Sequence, residues 1–239
     1  MNLDNQLKLT FKTNKRSRSV SIKILNDNSV LVTRPPHVSL SYAERFLEQH
    51  KAEILKRVNA NKIETFKTDT LYKSKFFEFT ISKSQNHKHS QRTLNNRLNI
   101  KIASDIDTES EEAQDYIQSS ILNLLKKEAK QYLPNRIFEL ANHCGLKFNN
   151  IKINSAKTRW GSCNQKNDIN LSCYLMLLPY HLIDYILLHE LAHTIHKNHS
   201  ASFYQLLDQL VNGKHLLLNR ELKKNRLLIH PLYFQKSVF

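Results

Sequence analysis

His189-Glu190-Leu191-Ala192-His193, followed by His199, is the part of this 239-residue chain whose residue types and spacing point to chemistry. Two histidines four apart on a helix share one face, so both imidazoles can reach a single metal ion. Glu190, next to the first of them, then stands beside the ion rather than on it. From there it can take a proton from a metal-bound water. Catalytic zinc sites keep three protein ligands and leave one position for water. His189 and His193 supply two, and His199 is the expected third: six residues let the chain leave the helix, pass Lys197-Asn198 and return an imidazole to the metal. His196 is a rival ligand, but on a continuous helix it would stand about 10 Å along the axis from His189. Glu221 is poorly suited as a distal acid, since its surroundings are polar and show no clear helical pattern.

The element that must carry this motif is a helix from near Pro179 to about Lys197. Leu182, Ile183, Ile186, Leu187, Leu188 and Leu191 make it apolar nearly all round, which places it inside the protein. A carboxylate there is expensive unless it is paired or functional, so Glu190 is the expected general base. Ahead of it lies a strand, Lys157 to Cys163, with the chain's only tryptophan in Thr158-Arg159-Trp160-Gly161-Ser162-Cys163. A glycine inside a strand signals close backbone approach by a ligand or a packing partner. An edge strand can also pair with an extended peptide. Arg159, Trp160 and Gly161 are therefore the candidate substrate wall; the plain alternative is a core tryptophan beside a bulge. Arg159, Tyr185, His196 and Tyr204 are candidate donors to a developing oxyanion.

Further out, alternation predicts strands at 7–11, 20–24 and 30–33, with a turn at Asn26-Asp27-Asn28-Ser29. Ser41 and Glu44 form a capping box that opens a helix to about Asn59. Short strands are expected at 76–81, 93–94 and 98–102, and a loop at Ser84–Ser90 in which His87 and His89 are solvated. Helical spacing of Ile117, Ile121, Leu124 and Leu125 follows, with Pro134 expected to break that helix from the next and Gly145 to cap the second. Strands at 151–153 and 169–173 precede the metal helix, and an amphipathic helix follows Ser200. The expected class is α+β. A boundary near residue 104 separates a basic, β-rich lobe (1–103) from a metal-binding lobe (104–239).

Composition narrows the function. Three glycines and no phosphate-loop motif exclude nucleotide folds of the P-loop or Rossmann type. No signal-type or membrane-spanning segment is read from the sequence, and Cys144, Cys163 and Cys173 fit reduced thiols, so a cytoplasmic protein with no membrane partner is expected. The net charge is +15, and residues 1–103 hold 20 Lys/Arg against 8 Asp/Glu. Such asymmetry suits a solvated basic face or, more weakly, a nucleic-acid surface.

Arg159-Trp160-Gly161-Ser162-Cys163, Ile169-Asn170-Leu171, the His189–His193 motif, and Asn198-His199-Ser200 with Phe203-Tyr204 together resemble the YgjP-like metal-dependent hydrolases, relatives of the SprT-like zinc metallopeptidases. The resemblance extends more weakly to residues 7–34 and 41–59. It implies a zincin-like fold for the C-terminal lobe, zinc held by His189, His193 and His199, and Glu190 as catalytic residue. Its peptidase name rests on motifs, and nucleotide phosphoanhydride hydrolysis is also associated with the family. The expected function is thus a zinc-dependent hydrolase, foremost a metallopeptidase acting on peptide or protein. The alternatives are a nucleoside triphosphate pyrophosphatase and a nucleic-acid-associated protease of DNA-bound proteins.

Overall fold

A computed structural model of the chain describes residues 9–24, 29–60 and 65–225. The chain forms two compact units, Met1–Ile63 and Glu64–Phe239. In the first, β1 (Leu9–Thr13) runs parallel to β3 (Val30–Arg34), and β2 (Ser21–Ile24) lies antiparallel on its other side. Val30 and Val32 are buried with Ala43 and Leu47 of α1 (Leu40–Gln49) and Ile54 of α2 (Lys51–Ala60). Residues 7–8 of the expected first strand and 26–28 of the expected turn lie outside the described residues. The single helix expected at 41–59 is two. His50 Nδ1–H donates 2.8 Å to the Phe46 carbonyl, the acceptor its own backbone N–H would take in a continuing helix. That N–H turns instead to Leu47. The cap is Ser39, whose Oγ accepts from Tyr42 N, two residues ahead of the expected box.

The second unit holds a four-stranded sheet in the order β4 (Leu71–Lys73), β5 (Glu78–Lys83), β7 (Arg97–Ile102), β6 (Ser90–Leu94). Asn95 and Asn96 both adopt positive φ in the β6–β7 turn, the conformation a two-residue hairpin requires. Phe79, Ile81, Leu98, Ile100 and Ile102 share one core with α3 (Glu111–Cys144). The boundary expected at 103/104 therefore falls inside this unit. The excess of positive charge drops there, but apolar burial does not stop.

The helix expected to break at Pro134 runs through it. Proline frees only the carbonyl of Lys130, an exposed residue that water can satisfy. Meanwhile Leu133, Ile137 and Ala141 continue the buried stripe of Ile117, Ile121 and Leu125. A third sheet has the order β8 (Asn150–Asn154), β10 (Asp168–Ser172), β9 (Gly161–Cys163), with β9 antiparallel on the edge. The strand expected to reach Cys173 stops at Ser172, whose Oγ caps a 3₁₀ turn at Cys173–Leu177. Then come α4 (Tyr180–Ala192), α5 (Ala201–Leu210) and α6 (His215–Leu222). The expected α+β class is what the structure shows. Among the described residues no helix is long and apolar enough to cross a membrane.

Buried Gln114 stitches the start of this unit to α3. Its Oε1 accepts from Phe66 N at 2.9 Å, and its Nε2 donates to the carbonyls of Phe66 (2.9 Å) and Thr108 (2.7 Å). Gln114→Leu forfeits all three bonds and is expected to lower unfolding stability by about 2–4 kcal/mol in urea titrations. A change under ~0.5 kcal/mol would show the bonds to be replaceable.

Candidate metal centre

α4 is buried along Leu182, Ile183, Ile186, Leu187 and Leu191 and crosses the core, so the side chains at its end are held by packing on every side. Asp184 anchors it to α3 through a bidentate pair with Arg136, at 2.8 and 2.7 Å. It ends at Ala192, five residues before the expected Lys197. Thr194 closes the last turn: its backbone N–H and its hydroxyl both donate to the Leu191 carbonyl, at 2.9 and 2.7 Å. Ile195 likewise bonds Ala192, tightening the turn so that the chain leaves the axis. Lys197 then ties the departing loop to the β9–β10 turn. Its Nζ donates to the Asn164 carbonyl (2.7 Å) and to Asn167 Oδ1, and lies 3.7 Å from Cys163 Sγ. Ser200, accepting from Phe203 N, restarts helix as α5 immediately after His199.

This path brings His189, His193 and His199 together. One ring nitrogen from each lies within 4.8 Å of the others, and His189 Nε2 and His199 Nε2 are 3.1 Å apart. Two nitrogens on a tetrahedral zinc stand ~3.3 Å apart, so the spacing fits such an ion. Phe203 is fully buried beneath the group, with its ring centroid 5.0, 4.4 and 4.8 Å from those of His189, His193 and His199. His193 Nδ1–H donates to the His196 carbonyl at 2.9 Å, which leaves Nε2 bare for a metal. His196 therefore serves through its backbone, and its imidazole is not in the cluster. Burial, then the neighbouring rings of His193, His199 and His215, push the His189 pKa down to about 3. Burial also lowers that of His193. Neutral imidazole is the form a metal needs.

Glu190 is 5% exposed, and its Oε2 is sealed from solvent without a hydrogen-bond partner among the described residues. Burial raises its pKa to about 8, against the opposing charge of Arg159. The side chain lies flat on the backbone of Gly161. A methyl group there would stand 2.5 Å from Glu190 Oε1 and 2.8 Å from Cδ and Cγ. The close approach expected at Gly161 is thus made by the candidate base. Trp160 is half-buried against the core, and Arg159 is exposed. Tyr185 OH lies 3.1 Å from Nδ1 of buried His215, a residue the sequence did not single out. Glu221 sits in α6, a short helix the sequence reading did not assign, and pairs with His181 at 2.8 Å, away from the imidazoles. The roles of Phe203 and Lys197 also escaped the sequence, since an inward apolar position and a loop lysine carry no distinguishing signal.

A buried helix that ends in two imidazoles beside a sealed carboxylate, with a third imidazole returned by the loop that follows, describes a metal-dependent hydrolase. The sequence matches the family described as YgjP-like, metallopeptidase domain, over residues 18–225, and the chain belongs to that family. Two solved structures resemble parts of it. The metallopeptidase zymogen abylysin of Pyrococcus abyssi is 22% identical over 38% of this chain and 92% of its own, with a TM-score of 0.34. The zymogen jannalysin of Methanocaldococcus jannaschii is 23% identical over 37% of this chain and 95% of its own, with a TM-score of 0.31. No curated protein matches.

Two measurements test the centre. One equivalent of Zn²⁺ is expected to raise the Tm of the metal-free protein, and His193→Ala to abolish the rise; an unchanged shift in that variant would remove His193 from the ligand set. Gly161→Ala is expected to keep metal uptake while hydrolysis falls about tenfold or more, because the methyl displaces Glu190.

Proposed function

We propose that this protein is a zinc peptidase in which Glu190 is the general base and His189, His193 and His199 hold the metal. Three imidazoles are a donor set that suits zinc. When bound, the metal supplies Lewis acidity to a water and to the scissile carbonyl. The observation that carries the reading is the Glu190 carboxyl: buried, unpartnered at Oε2, and one residue from His189. Solvation would make it a weak base, whereas burial moves its proton affinity toward neutral pH, where a base works best. A neighbouring cation would favour its charged form and make it ready to accept a proton. The Glu190 carboxylate then takes the proton of the attacking water and returns it to the amine that leaves.

β9 supports an extended peptide as substrate. The Trp160 carbonyl accepts from Ser172 N, and Asn164 N donates to the Asp168 carbonyl. Antiparallel alternation then turns the backbone groups of Gly161 and Cys163 away from β10, toward the free edge. A substrate strand can pair there, directly beside Glu190. Arg159 and Trp160, which flank that edge, are the side chains proposed to meet it. The cation whose charge reaches Glu190 is Arg159, a single exposed side chain, which is a thin cradle for a polyphosphate.

Dye-labelled unfolded casein and ATP, offered in parallel to the zinc-loaded protein, test the substrate class. Casein cleavage that a chelator stops is expected; turnover of ATP alone would overturn the peptidase reading. Glu190→Gln is expected to bind zinc normally and to lose about 10²–10⁴-fold in kcat. Activity within threefold of the original chain would show that another group is the base.

A further inference from the structure

α6 begins with a histidine that the hydrolytic scheme above leaves unused. The chain reverses between α5 and α6 within four residues because Asn212 and Gly213 take φ of 52° and 75°. Gly213 N–H closes back on the Asp208 carbonyl at 2.8 Å, and Asp208 Oδ1 accepts from His215 N at 3.2 Å. The His215 backbone is thereby fixed to α5, the helix that also supplies Phe203. Its ring is 8% exposed and sits one tyrosine away from two of the metal-site imidazoles. The Tyr185 ring lies 6.1 Å from it and 6.4 Å from His189, and the Tyr204 ring 5.0 Å from it and 6.0 Å from His199.

The hydrogen bond between Tyr185 OH and His215 Nδ1 defines the tautomer. A phenol carries its proton at neutral pH. No other acceptor for its hydrogen is present among the described residues. A buried hydroxyl left without an acceptor is costly, so Tyr185 donates and Nδ1 accepts. A neutral imidazole that accepts at Nδ1 carries its hydrogen at Nε2. That Nε2 has no partner among the described residues and is not sealed from solvent. An unoccupied donor therefore stands one aromatic ring away from the imidazole cluster. The other candidates serve less well. Arg159 and Tyr204 are exposed, the His196 imidazole lies outside the cluster, and the Tyr185 hydrogen is already given to His215.

We propose that His215 is a catalytic residue of this site, its Nε2–H meeting the negative charge that develops on the scissile carbonyl oxygen, and that Tyr185 is the positioning residue that fixes its tautomer. The inference rests on the hydrolytic reading of the three-histidine centre. Its donor is polarised by a buried phenol and needs no protonation change to act, so it serves the transition state without charging the metal site.

The test uses the full chain with and without zinc. In the metal-free protein, long-range ¹H–¹⁵N spectra are expected to show His215 protonated at Nε2 and bare at Nδ1, with the two tautomers mixing in Tyr185→Phe. A proton on Nδ1 in the original chain would overturn the assignment. In the zinc-loaded protein, His215→Phe is expected to lower kcat on dye-labelled casein about 10²-fold with KM changed less than threefold and one zinc per chain retained. His215→Gln, which offers an N–H near the same place, is expected to recover part of the loss. Binding of an N-blocked dipeptide phosphonamidate, whose tetrahedral oxygens imitate the developing charge, should weaken about 10²-fold in His215→Phe and stay tight in Glu190→Gln. Unchanged kcat and phosphonamidate affinity in His215→Phe, or loss of zinc with them, would overturn the proposal. If the original chain bound the phosphonamidate but cleaved nothing, the peptidase reading would fail while the tautomer and affinity results still decided the role of His215.

Discussion

The contact between the Glu190 side chain and the bare Cα of Gly161 is the constraint on which the site depends. A carboxyl group in a dry interior must be given room, and here the room is the space that any other residue at 161 would fill. Because Gly161 lies on edge strand β9, the same contact fixes the distance between the candidate base and the open side of the third sheet. Because Glu190 follows His189 on α4, it also fixes that sheet relative to the imidazoles. Strand, candidate base and imidazoles are thus placed by one short-range steric relation. The cost is an unpaired buried oxygen at Oε2, of the kind that persists where function needs it.

The parts of this arrangement visible in the sequence were those with a local period or a fixed spacing. His189 and His193 share a face because a helix has 3.6 residues per turn, and the apolar surroundings of α4 announce its burial. Gly161 signalled a close approach, although nothing local could say that Glu190, 29 residues further on, was the visitor. His199 fitted the third place only if the helix ended early. The device that ends it, Thr194 donating twice to Leu191, is a side-chain choice that periodicity does not register.

Other features were hidden because tertiary packing outweighed local preference. Pro134 reads as a helix breaker, yet apolar contacts on both sides carry α3 through it. The charge step near residue 104 reads as a lobe boundary, yet the buried faces of β5 and β7 belong to the core of α3. His215 gave no sign, since a lone histidine at the start of a short helix resembles many surface residues. Its meaning comes from Tyr185, which reaches it from a different helix 30 residues earlier.

The Lys197 tether has a mechanical consequence. Its ammonium grips the turn of the β9–β10 hairpin, and its backbone belongs to the short loop that presents His199. Hairpin and ligand loop thus share a fastening at Lys197. Whatever stiffens the hairpin also narrows the wandering of His199, and an ion that pins His199 quiets the hairpin in return, by the reciprocity that governs any two linked equilibria.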